Sequence, residues 1–167
     1  MAKTYEPIAT TTVSGTSTTA IDFSGFGTGY TDLILITSHS ISAAGYSLSL
    51  RVGTAGSADT TTKYSRTYLL GNGSSNSSNR DANSTFIDLN GTSYTSGTPA
   101  NAIIQFMSYA NTSNKAILNR SGAAGDSLQI EIGLYRTTSA LNFIRVYVAS
   151  GYIYAGSTFT LYGIKAA

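Results

Sequence analysis

Ser127-Leu128-Gln129-Ile130-Glu131-Ile132-Gly133-Leu134 alternates large apolar residues with polar or small ones over eight positions. Successive side chains of a β-strand point to opposite sides, whereas a helix would repeat its apolar residues every three or four. The stretch therefore predicts a strand with Leu128, Ile130, Ile132 and Leu134 on one face, and that face is expected to be core. The same period continues toward the C-terminus. Phe143-Ile144-Arg145-Val146-Tyr147-Val148 sets Ile144, Val146 and Val148 against Phe143, Arg145 and Tyr147, and Phe159, Leu161 and Gly163 oppose Thr160, Tyr162 and Ile164. These last two strands are expected to be antiparallel neighbours, joined through the turn region of Ser150-Gly151 and Ala155-Gly156.

Moving back along the chain, short apolar or β-branched runs closed by Gly, Asn, Ser or Asp predict strands at 6–13, 18–23, 32–39, 47–52, 64–70, 84–90, 102–109 and 115–119. With 127–135, 142–149 and 158–164 they make a set of short strands separated by turn signals, and no segment has a good helical period. The stretch 71–83 carries no apolar side chain larger than Ala and is expected to be an exposed loop; 53–62 and 91–100 are shorter loops. The implied fold is all-β, one antiparallel β-sandwich domain of jelly-roll-like kind spanning 1–167, with a closed barrel as the alternative.

Composition points the same way. Of 167 residues, 48 are Ser or Thr, 17 are Gly and 12 are Tyr, which suits pleated, half-solvated sheets. Charged residues make up 11%, against about 25% in ordinary soluble domains. A net charge of +2 without a Lys/Arg cluster leaves no footprint for a phosphate backbone, so no nucleic-acid partner is expected. The absence of cysteine removes disulfides, thiolate metal sites and a Cys nucleophile. The longest apolar run, Leu33-Ile34-Leu35-Ile36, falls far short of the roughly 18 residues of a membrane helix, and no membrane partner is expected. The opening residues lack the apolar core of a secretory signal, so synthesis in a cytoplasm is expected.

Candidate chemistry is sparse, and no catalytic, cofactor-binding or metal residues are assigned. His39 lies between Ser38 and Ser40, but neighbours on a strand face opposite sides, and a structural histidine is expected. Asp126 with Glu131, or Asp22 with Asp32, are the available carboxylate pairs for sugar hydrolysis; each aspartate reads better as a turn or strand-end residue. Asn79, Asp81, Asn83 and Asp88 form the one oxygen-rich stretch, without the carboxylate density of a calcium loop. Gly71-Asn72-Gly73 is not followed by the Lys-Ser/Thr and helix of a phosphate loop. Tyrosine is the distinctive resource, since each ring has an apolar body and a polar tip suited to an interface or to stacking on sugars. Tyr152 and Tyr154 flank Ile153 in a Gly-bounded segment and leave the same side, which makes them the first candidates for an oligomer or partner interface.

Three segments carry a family resemblance. The opening Tyr5 to Val13 run with Ile21-Asp22-Phe23 and Gly29-Tyr30-Thr31-Asp32-Leu33, the middle Tyr68-Leu69-Leu70-Gly71-Asn72-Gly73-Ser74, and the ending Thr160-Leu161-Tyr162-Gly163-Ile164-Lys165 resemble virion structural proteins of marine phages and cyanophages. The resemblance implies a capsid decoration or cement protein, located on the virion surface, that binds the major capsid protein as a homotrimer and performs no catalysis. Residues 1–6 are then an expected anchoring arm, which adds Tyr5 and Pro7 to the interface candidates. The alternative it leaves open is a tail-fibre or receptor-binding domain that holds host glycans on tyrosines and Asn-rich loops.

Overall fold

The computed structural model describes residues 4–89, 95–123 and 125–165. Its strands are β1 (Tyr5–Thr12), β2 (Ala20–Ser24), β3 (Asp32–His39), β4 (Leu48–Gly53), β5 (Tyr64–Gly71), β6 (Asn76–Ser84), β7 (Ile87–Asp88), β8 (Ala100–Met107), β9 (Lys115–Ala123), β10 (Ser127–Tyr135), β11 (Phe143–Val148) and β12 (Thr158–Ile164); there is no helix among the described residues. An eight-stranded sheet has the order β1-β12-β3-β8-β9-β10-β5-β6, and a four-stranded sheet the order β2-β11-β4-β7. Every pairing is antiparallel, and the two sheets pack as a β-sandwich.

Between the sheets lies an apolar core whose residues keep the period of two. Leu33, Leu35, Ile104, Phe106, Phe159 and Leu161 enter it from the large sheet, and Leu48, Leu50, Val52, Ile144 and Val146 from the small one; all are buried. Each such side chain contributes about 1.5–3 kcal/mol by leaving water. Buried tyrosines extend the core toward loops: Tyr64 and Tyr135 stack with ring centroids 4.9 Å apart. The Tyr64 hydroxyl accepts from Val52 N–H at 3.0 Å and lies 2.9 Å from the carbonyls of Val52 and Asp59, while Tyr135 donates to Asp59 Oδ2 at 2.7 Å. Gly133 has a packing reason. A Cβ there would collide with Ile87 Cδ1, which reaches across from the small sheet.

Four expectations are corrected. First, the apolar face of β10 points out, not in: Leu128, Ile130 and Ile132 are exposed, whereas Ser127, Gln129, Glu131, Gly133 and Tyr135 are buried. Alternation says which residues share a face, and the side is decided by neighbours; a one-residue shift would drive Gly133 away from Ile87 and Tyr135 away from Tyr64. Second, 71–83 is exposed but is not simply a loop, because 76–84 forms β6 on β5. Backbone pairing needs no apolar side chain when the strand sits on an edge. Third, β11 and β12 are not neighbours. They belong to different sheets, and Ile153 between them bridges to Ile41. Fourth, the expected strand at 84–90 is reduced to Ile87–Asp88 on β4, with Asn90 outside the described residues. Of the expected arm, Tyr5 and Glu6 are already paired in β1, and residues 1–3 lie outside the described residues.

Candidate functional site: an exposed apolar sheet face

The register of the large sheet explains why its outer surface is apolar. One row across it reads Ser78, Leu69, Ile130, Arg120, Ile103, Ile36, Thr160 and Thr10, from β6 to β1. The next reads Arg80, Thr67, Ile132, Leu118, Gln105, Ile34 and Tyr162. Leu128 is 68% exposed, Leu69 62% and Ile130 50%, and Ile132, Ile36 and Ile103 are exposed beside them. Single exposed apolar residues are ordinary, but a contiguous apolar field on one sheet marks a contact surface.

The relief of this field comes from two glycines. Leu128 is paired with Gly71 on β5 and with Gly122 on β9, and it stands as a ridge whose side chain leans over Gly122, its Cδ1 3.5 Å from where a Cβ there would sit. A hollow of about 610 Å³ lies on the Gly122 side, lined by Ile103, Arg120, Asp126 and Leu128, and one of about 580 Å³ lies toward β6, lined by Leu69, Asn76, Ser78 and Ile130. Arg120 borders both and has no ion pair among the described residues.

Beneath the same strands the interior is polar. Asn119 and Glu131 are directly opposed on β9 and β10, and Ser121 and Gln129 form the next pair. Gln129 Nε2 donates to Glu131 Oε2 at 2.5 Å and to the Asp88 carbonyl at 3.2 Å; Asn119 Nδ2 donates to Ser121 Oγ at 3.2 Å. Ser47 donates to Asp88 Oδ1, and Arg66 pairs with Asp81 at 2.7 Å and with Asp88 at 3.4 Å. Glu131 Oε1 and Asn119 Oδ1 have no hydrogen-bond partner among the described residues. Burial pushes the Glu131 carboxyl up to about 8; nearby Arg66 opposes the rise, and Asp88 and Asp81 reinforce it.

The residues singled out from sequence fall in several places. Tyr5 and Pro7 are exposed on β1, paired with Ile164 and Tyr162, and so lie at the rim of the same outer face. Tyr152 and Tyr154 are half-buried and pack edge to face, 5.2 Å apart, in the crossing between the sheets, with the Tyr154 hydroxyl 3.4 Å from Ser96 Oγ. They do not join Tyr5 and Pro7 in one patch: Tyr154 precedes the start of β12, and Tyr5 pairs near its end. Tyr94 lies outside the described residues.

His39 is buried, its Nδ1 3.0 Å from Thr37 Oγ1 and its ring stacked on Phe159, and burial lowers its pKa to about 4. Ser38 faces the opposite side and is exposed. Asp22 holds Arg145 through two oxygens at 2.7 and 2.6 Å, while Asp32 accepts from Gln105 Nε2 and Ser108 N–H. These two aspartates stand in different sheets. Asp126 accepts from Thr95 in the turn before β10, away from buried Glu131. Asn79 and Asn83 are exposed on β6, whereas Asp81 and Asp88 both serve Arg66, whose guanidinium already supplies the positive charge there. Among the described residues no group of three His, Cys, Asp or Glu is arranged to hold a metal.

Leu69, Leu128, Ile130, Ile132, Ile103 and Ile36 are the surface that sequence reading missed. The available signal was the low charge content: a chain with 11% charged residues covers its surface with something else. No family model and no curated protein matches this chain.

Proposed function

We propose that this chain is a structural subunit of a tailed-phage virion, a non-catalytic capsid decoration protein that works as an oligomer on the shell. The observation that carries the reading is the apolar outer face of the large sheet. Its six exposed Leu and Ile side chains together leave the equivalent of about three whole side chains in water, so covering them is worth about 5–9 kcal/mol. A chain with that much stabilisation in reserve is suited to assembly. The resemblance of both ends and the middle to virion proteins suggests the kind of assembly, and the exposed β1 rim with Tyr5 and Pro7, beside the apolar field, is the edge this reading assigns to the shell.

The test is the copy number and position of the chain in purified virions. A decoration protein is expected at every equivalent capsomer site and is labelled by antibody over the capsid surface. Label confined to the tail, with few copies per particle, would replace this reading with the receptor-binding one.

A further inference from the structure

We infer that the occupant of the outer face of the large sheet is a second copy of this chain, with Leu128 of one copy seated in a glycine-floored hollow of the other. The inference rests on reading that face as an assembly surface, and three features of the face choose the occupant.

The first is size. Eight strands at about 4.8 Å spacing, carrying side-chain rows over about 20 Å, present a face of roughly 770 Å², close to the 800 Å² or so that each partner contributes to a stable interface. The second is anatomy. The apolar centre on β5, β10, β9, β8 and β3 is flanked by Thr10, Thr158 and Thr160 on one side and by Asn76, Ser78 and Arg80 on the other, the apolar core and polar rim of a protein contact.

The third is self-complementarity. Leu128 is a ridge, and Gly71 lines the hollows on both of its flanks, so the face carries both a knob and the holes to receive one. A contact between identical surfaces needs this property, because each residue must meet what the same face offers. Arg120 is the charge within the apolar centre. Asp126 lines the same hollow, its two carboxylate oxygens accepting from Thr95. Seen against the fold, the inversion of β10 then has a use: the apolar side of the strand builds a core between chains.

The test is the mass of the full-length chain in solution, by sedimentation equilibrium over a wide concentration range. The wild type is expected at an even multiple of 17.4 kDa, because a contact between identical faces pairs two chains. Leu128→Lys and Ile130→Lys are expected to sediment as monomers with unchanged circular dichroism, because both side chains stand in solvent in the single chain. Gly71→Val is the sharper variant. A Cβ at Gly71 meets nothing within 4 Å among the described residues, so the added side chain enters the hollow and is expected to weaken association with unchanged circular dichroism. A wild type that stays monomeric at every concentration, or an oligomer that survives both lysine variants, overturns the inference. A monomer that still binds shells would do so while leaving the virion reading intact; an oligomer absent from virions would refute the virion reading alone.

Discussion

Glu131→Gln should erase a loss of stability that the wild type suffers as pH rises. The carboxyl is fully buried, and its unpartnered Oε1 sits on the residue directly opposed to Asn119, whose Oδ1 also lacks a partner among the described residues. A proton on Glu131 turns one of these buried acceptors into a donor. The folded pKa of about 8 lies above the ordinary value of 4.5. Between those values the folded chain binds a proton that the unfolded chain has released. Its contribution is thus complete below the lower value, falls as pH rises, and is gone above the upper one. At about 1.4 kcal/mol per pH unit, the window sets a ceiling of about 5 kcal/mol, and relaxation around the ionised group brings the expected loss to about 3 kcal/mol. Gln keeps the volume and a neutral donor but does not titrate. Urea unfolding of both proteins from about pH 5 to about pH 9 isolates the term, because every other titration is common to the pair. Equal stability near the acid end and a gap in favour of Gln at the alkaline end is the expected result. Parallel curves would refute the reasoning.

Three further outcomes follow from the packing. Arg66→Gln leaves Asp88 and Glu131 without their cation, so unfolding should become easier by about 3 kcal/mol and the pH midpoint of the Glu131 effect should move upward. His39 is held neutral, its pKa lowered by burial from 6.5 to about 4, so it opposes Glu131: stability from this group falls as pH drops through that window, by about 3 kcal/mol, and His39→Gln should flatten the acid limb of the urea titration. Gly133→Ala should cost about 1–3 kcal/mol by forcing Ile87 aside, and Ile87→Val in the same chain should recover part of it in a double-mutant cycle.

Most strands were legible because period two survives in any half-buried sheet: 32–39, 127–135 and 158–164 match β3, β10 and β12. The side that each face takes was not. In β11 and β12 the side chains on the apolar parity are buried, but β10 packs Gln129 and Glu131 inward because Asp88, Arg66 and Asn119 wait there from three other strands. Those partners are distant in sequence, so no local pattern reports them. β6 was hidden for a related reason. Asn76 to Ser84 has no apolar signal, yet β5 offers a free row of N–H and C=O groups that fixes it. Tyr152 and Tyr154 were singled out by their alternation with Ile153 and Tyr5 by its place in the N-terminal arm, and neither local position tells a rim residue such as Tyr5 from a pair packed on each other. The apolar field depends on register across five strands, and only the folded sheet assembles it.

The most direct measurement of the proposed role is co-sedimentation of the purified protein with expanded, undecorated phage capsids, with host cells as the parallel sample. Saturable binding to capsids at a fixed ratio per capsomer is the predicted result; binding to cells with none to capsids would contradict it.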